Sequence, residues 1–262
     1  MDEQVVRLGR RHFFRVVAAA AAMIPLAVAN PAHARRHRPP RRPKCLLPGT
    51  AVLTDRGPVG VECLHIGDRV LTESGAFKPI KGIGRRVFTK RSSDRWDENV
   101  APVRIARSAI STGVPARDLY VSPEHALFID GYLIAAQCLI NGVSITQDVS
   151  ARDALEYIHL EFERHEVFYA EGAAIESLQV IDAHQAAGGF AQYERDGSLA
   201  GAMAPYAPRL GYFGGRQEAI ALARLAVYPW IDVRDRIQVV HDRLAVRANL
   251  LHAVSAKTAL AG

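Results

Sequence analysis

Cysteine is scarce in this chain: Cys45, Cys63 and Cys138 are the only three among 262 residues. An odd, low count is no disulfide framework. There is no Cys-x-x-Cys pair and no clustered Cys/His spacing of the kind that holds zinc, so neither a metal nor a cofactor is expected. Long hydrophobic runs are also missing. The apolar stretch at residues 16–29 falls short of the ~20 residues that a membrane-spanning helix needs. Acids are nearly absent from the first 44 residues, where ten Lys or Arg face two carboxylates, a net +8. The remaining 218 residues carry 23 bases and 25 acids, a net −2. The pI of 9.4 therefore belongs to the N-terminal segment, and charge gives the folded part no support as a nucleic-acid binder. Apolar residues at 49% and charged residues at 23% are ordinary for a globular chain with a sizeable core.

The first 44 residues read as an address. Arg10-Arg11-His12-Phe13-Phe14-Arg15 precedes the apolar run, and Ala32-His33-Ala34 follows as a small-x-small cleavage pattern. Paired arginines, two aromatics and an Ala-rich run resemble a bacterial twin-arginine export signal over residues 1–34. Such a signal implies an exported, periplasmic or extracellular protein and a partner in the export machinery. The alternative is an anchor that stays uncut in the membrane. Residues 35–44, Arg-Arg-His-Arg-Pro-Pro-Arg-Arg-Pro-Lys, combine like charges with three prolines and read as an extended linker.

From Cys45 the texture changes to short β-type runs with Gly punctuation. Strands are expected at residues 51–54, 59–64, 69–72, 77–83, 85–89, 103–105, 119–121, 126–129, 132–134, 157–162 and 166–170. Glu73-Ser74-Gly75 marks a hairpin, and Asp130-Gly131 between two apolar runs is the strongest hairpin signal in the chain. Residues 90–100 are polar and read as an exposed loop. The pattern argues for a mainly β domain over residues 45–182. Residues 183–262 form a partly helical extension. Its first part, 183–215, is rich in Gly, Ala and Pro and reads as irregular. Helical character returns at 216–226, and apolar residues at 233, 237, 240, 244, 248 and 251 predict a helix over 233–256.

Several stretches in order resemble the Hint domain shared by inteins and Hedgehog autoprocessing proteins. Cys45-Leu46-Leu47-Pro48-Gly49-Thr50 is similar to the opening block, a Cys followed shortly by Gly-Thr and a strand. Glu62-Cys63-Leu64-His65-Ile66-Gly67-Asp68-Arg69-Val70 is similar to the family's Glu-x-Leu-x-x-Gly-Asp-x-Val element, and Pro79-Ile80-Lys81-Gly82-Ile83-Gly84 to the strand after it. Ser122-Pro123-Glu124-His125 resembles the second catalytic block, Thr/Ser-x-x-His. Leu139 through Ile145 and His165 through Gly172 resemble later strands of bacterial members. The resemblance covers residues 45 to about 182 and implies a horseshoe-like, nearly all-β fold.

It also implies chemistry. Hint domains begin with an N-to-S acyl shift, in which the Cys sulfur attacks the carbonyl of the preceding residue, here Lys44. A thiol suits this step because the thiolate is strongly nucleophilic and its ordinary pKa, ~8.5, is within reach of a base. His125 takes the place of the family's proton-transfer histidine, and Ser122 that of the hydroxyl at the scissile site. Asp118 is a candidate to orient His125 or polarise the site. His165 is a candidate assisting histidine, and His159 lies in the same late block; strand-face histidines without a role explain both equally well. Cys63 and Cys138 read as packing residues. Inteins end in His-Asn, whereas the matching stretch here is Ala174-Ile175-Glu176-Ser177-Leu178. Without that Asn, splicing has no mechanism, and the chemistry is expected to stop at a thioester resolved by water, a thiol or another acceptor. The substrate is then the protein's own N-terminal segment. Cutting after Ala34 leaves ten residues ahead of the thiol. In Hedgehog proteins a sterol guided by a C-terminal tail plays the acceptor; nothing in residues 183–262 reads as a sterol site. Two other readings stay open: a non-catalytic exported Hint-like binding or structural module, and a secreted hydrolase with a Cys45–His125 dyad.

Overall fold

Asp130 and Gly131 both adopt positive φ, 51° and 83°, as a two-residue turn matched to strand twist requires. They join β8 (Ala126–Ile129) to β9 (Tyr132–Ala135), with Ile129 opposite Tyr132. The computed structural model describes residues 44–90, 95–149, 153–180, 192–197, 201–211 and 235–260. The export signal, the linker before Lys44 and the helix expected at 216–226 lie outside the described residues.

Among the described residues the strands before this hairpin are β1 (Ala51–Thr54), β2 (Gly57–Gly60), β3 (Arg69–Leu71), β4 (Phe77–Pro79), β5 (Gly82–Thr89), β6 (Val103–Ile105) and β7 (Leu119–Val121). After it come β10 (Ile145–Gln147), β11 (Ala154–Glu161), β12 (Val167–Ala170), β13 (Ala173–Glu176), β14 (Gln192–Arg195) and β15 (Arg209–Leu210). The architecture is mainly β with a C-terminal helix, α1 (Arg236–Leu260). One sheet has nine strands in the order β15-β9-β8-β13-β12-β1-β3-β4, with β2 also on β1. Two three-stranded sheets run β10-β6-β7 and β11-β5-β14. The core is built from aliphatic residues of all three, with Phe162 and Phe168 packed ring against ring, 5.8 Å between centroids.

Sequence and structure part at several places. The run at 59–64 is split: β2 ends at Gly60, and Val61–Cys63 turn as a 3-10 helix. This turn buries Val61 and Leu64 while leaving Cys63 exposed, so Cys63 is not a packing residue. The run at 77–83 breaks at Ile80-Lys81, because β4 pairs with β3 while β5 crosses to pair with β11. Gly84, expected to end a strand, instead sits mid-strand between His159 and Tyr193. The stretch at 139–145 is mostly turn, and only Ile145 joins a strand. Trp96, in the loop expected to be exposed, is buried.

The tail contributes to the fold. In α1, Ile237, Val240, Leu244 and Ala248 are buried at the expected helical spacing. Asp235 and Gln238 form a reciprocal cap, each side chain accepting the other's backbone N–H at 3.0–3.1 Å. Residues 183–215, read as irregular, supply β14 to β5 and β15 to β9. β15 is parallel to β9, an arrangement that sequence periodicity cannot announce.

Candidate active site

Leu46 bridges Val121 of β7 on one side and Ile158 of β11 on the other. Leu46 and Ile158 exchange two backbone hydrogen bonds of 2.8 Å. The segment therefore links the two small sheets and fixes the Lys44–Cys45 peptide bond just upstream. The Cys45 side chain is fully buried in a cluster of Leu47, Trp96, Ala101, Leu155 and Tyr157. Burial pushes the Cys45 thiol up, Arg86 opposing. In the resting state it is a thiol, not a thiolate.

Ser122 follows β7 directly. The Cys45 N–H donates to Ser122 Oγ at 2.8 Å, and the Ser122 N–H donates to the Cys45 carbonyl at 2.9 Å. Both residues are fully buried. Ser122 Oγ thus holds the nitrogen of the Lys44–Cys45 amide. If that bond broke, the same oxygen would face a developing amine, to which its hydrogen bond becomes charge-assisted and stronger.

His125 closes the turn out of Ser122, its N–H donating to the Ser122 carbonyl at 3.0 Å. The ring is 2% exposed, and among the described residues no group hydrogen-bonds either ring nitrogen with acceptable geometry. Burial pushes the His125 pKa down to about 4; Glu176 and the Cys45 backbone oppose, while Lys44 and Arg209 add to the fall. At neutral pH the ring is neutral, with one nitrogen ready to accept a proton. The His159 ring of β11 lies 6.4 Å away, and burial first, then His125, holds its pKa well below the usual histidine value.

A second cluster adjoins the first. Glu176, at the end of β13, is fully buried. It accepts the Ala126 N–H at 2.8 Å, the Lys44 ammonium at 3.1 Å and the Arg209 guanidinium at 2.6 and 2.7 Å. His165 Nε2 lies 3.5 Å from it, while His165 Nδ1 accepts the Tyr206 N–H at 2.9 Å. Burial alone would raise the Glu176 pKa; His165, Lys44 and Arg209 outweigh it and hold the carboxyl well below the usual range.

The structure thus brings Lys44, Cys45, Ser122, His125 and His165 into one region. Asp118 is a correction. It is exposed and engaged with Arg104 Nε at 2.8 Å and the Arg107 N–H at 2.8 Å, because the turn before β7 faces Arg104 of β6 and not the histidine. His165 addresses Glu176, one step removed from the scissile bond. Glu176 and Arg209 were not singled out in the sequence. An acid closing the apolar run Ala173-Ala174-Ile175 was a usable signal, since acids are almost never fully buried unless paired. Arg209, in a Gly/Ala/Pro-rich stretch, offered none.

The family model for the Hint domain matches residues 44–182. The chain belongs to the Hint domain family. Solved structures with similar folds include the gp41-1 intein, 18% identical, TM-score 0.34, covering 51% of this chain and 98% of that one. The Msm DnaB1 intein splicing domain bound with zinc is 13% identical, TM-score 0.34, at 50% and 98% coverage. The bacterial intein-like domain from Clostridium thermocellum is 14% identical, TM-score 0.37, at 52% and 99%. No curated protein matches the chain. Membership in the Hint family brings a general capacity for autoprocessing, and Cys45 stands at the start of the matched Hint segment.

Proposed function

We propose that the Hint domain performs one N-to-S acyl shift at the Lys44–Cys45 bond and stops at a thioester. The Cys45 Sγ–H bond gives its proton to neutral His125 as sulfur bonds the Lys44 carbonyl carbon. The C–N bond then breaks, and the proton passes to the departing Cys45 nitrogen, held at Ser122 Oγ. The products are a Lys44 thioester on Cys45 Sγ and a free Cys45 amine. Water or a thiol then attacks the thioester carbonyl, releasing residues up to Lys44 and restoring the Cys45 thiol. The observation that carries this reading is the buried hydrogen bond from the Cys45 N–H to Ser122 Oγ beside a buried histidine whose ring nitrogens have no hydrogen-bond partner among the described residues. A thiol that stays protonated until attack also guards against premature cleavage.

No second cut follows. The stretch resembling the intein C-terminus carries Glu176, a carboxylate with no side-chain amide to cyclise. The chain is proposed to be exported through its twin-arginine-like segment, with its own N-terminal residues as substrate and a small nucleophile or protein as acceptor. Fractionation finding only uncut protein in the cytoplasm would oppose export.

The test follows the intact mass of the full chain over time, with and without dithiothreitol or hydroxylamine. A product beginning at Cys45, faster with thiol and absent in Cys45→Ala and His125→Ala, supports the acyl shift. A chain that stays whole under every condition favours the binding-module reading, to which the fully buried thiol lends weight.

A further inference from the structure

We infer that the Hint domain carries a cation-selecting seat for the side chain on the amino side of the scissile bond, built on Glu176 and completed by the C-terminal extension. The inference rests on the acyl-shift reading for its catalytic consequence, though not for the seat itself.

The seat is a built site. Glu176 is fully buried, and its oxygens are held by the Ala126 N–H of β8 and by Arg209 of β15, with His165 Nε2 3.5 Å away. Arg209 is itself fixed, its other nitrogen donating to the Glu124 carbonyl at 2.6 Å. His165 is fixed by the Tyr206 N–H on Nδ1, and its Nε2 lies 3.5 Å from Glu176 Oε2 without a formed hydrogen bond. Into this frame comes Lys44, whose ammonium reaches Glu176 Oε2 at 3.1 Å with its side chain only 22% exposed. Burial lowers the Lys44 pKa and Glu176 opposes that fall. A lysine drawn this far from water is retained because a charge-assisted partner waits there.

The consequence is positional. Ser122 holds the nitrogen of the scissile amide, and the Glu176 seat holds the side chain on the carbonyl side. Two anchors, one on each side of the bond, restrict the movement of the Lys44–Cys45 peptide unit. Restricting a reacting pair in this way is a major source of rate in intramolecular reactions. Glu176 is a positioning residue: it acts through Lys44 and touches no reacting atom. Arg209 and Tyr206 lie beyond residue 182, where the family match ends, so the extension has a role in choosing what is cut. A long cation at position 44 is favoured, an apolar side chain of similar length loses the ion pair, and an acid meets a buried carboxylate.

The test uses the full chain and two readouts. The first is the rate at which the product beginning at Cys45 forms in dithiothreitol, for Lys, Arg, Met and Glu at position 44. The Lys44 side chain is partly buried, so the melting readout below separates the effect of each variant on the fold from its effect on the rate. Lys44→Arg is expected to keep most of the rate, Lys44→Met to lose about tenfold, the equivalent of 1.4 kcal/mol, and Lys44→Glu more. In a Glu176→Gln chain, Lys44→Met is expected to make no further difference. The second readout is thermal melting in the uncleavable Cys45→Ala chain. There Lys44→Met lowers the midpoint, and Glu176→Gln removes that effect. Equal rates for Lys and Met with no melting difference overturn the seat. A chain that never cleaves but keeps the Lys44–Glu176 coupling in melting overturns the acyl-shift reading and upholds the seat.

Discussion

Acidification from pH 7 to 4.5 is expected to destabilise the fold through His125. Burial, its largest cause, holds the folded-state pKa at about 4, against about 6.5 for an unfolded chain. The unfolded state therefore binds a proton over a window in which the folded state refuses it. Stability rises with pH wherever the unfolded state holds more protons. The His125 contribution is intact above about pH 6.5 and is lost as pH falls toward about 4, where both states are protonated. Integrated to pH 4.5, the loss is about 2.5 kcal/mol, a large share of the stability of an ordinary domain. His159, also buried with a lowered pKa, acts in the same direction. Glu176, whose pKa is depressed, loses its contribution below the ordinary carboxylate pKa, about 4.3, and so leaves this window nearly untouched. The assay is urea unfolding of the Cys45→Ala chain at pH 7 and 4.5, with and without His125→Gln. The Gln chain should lose about 2.5 kcal/mol less over that interval. Equal losses in both chains, or a His125 titration by NMR with a folded midpoint near 6.5, would refute the reasoning.

Other changes follow from the same geometry. Ser122→Ala leaves the buried Cys45 N–H without its acceptor, so a loss of about 1–3 kcal/mol is expected in denaturant titration, along with slower thiol-dependent cleavage; unchanged values for both would contradict the role given to Ser122. Asp118→Asn, at an exposed pair with Arg104, is expected to leave the cleavage rate within about twofold and to cost about 0–1 kcal/mol of stability. A large fall in rate there would return Asp118 to the reacting group. Phe168→Ala removes a ring from the main core and should cost about 3–5 kcal/mol by the same titration.

Much of the fold was legible because its signals are local. β1, β6, β7 and β8 match the expected ranges residue for residue, since apolar and β-branched runs bounded by turn residues decide a strand without reference to the rest of the chain. The Asp130-Gly131 hairpin is of the same kind, because positive φ at two successive positions is a property of those residues. The breaks at Gly60 and at Ile80-Lys81 were not legible. Each depends on which strand lies alongside, and the neighbour is distant in sequence. The site divides in the same way. Cys45, Ser122 and His125 stood out before any fold was known, through the resemblance of their stretches to the opening block and the Thr/Ser-x-x-His block of Hint domains. Asp118 stood out as well and does not belong, because proximity in sequence to Ser122 says nothing about the direction its turn faces.

By itself the sequence determined the chemistry that is possible here: a thiol preceded by a lysine, a Ser-x-x-His block, a mainly β domain of the Hint type and a basic segment ahead of it. Only the tertiary structure decided which of these groups meet. It brought Glu176 of β13 onto the residue before the thiol, with Arg209 from the extension and His165 ahead of β12 set against Glu176. It also buried Cys45 and His125 deeply enough to keep both uncharged at rest. The physical reason is that burial and charge pairing are sums over neighbours 50 to 132 residues apart in the chain, and no local pattern records them.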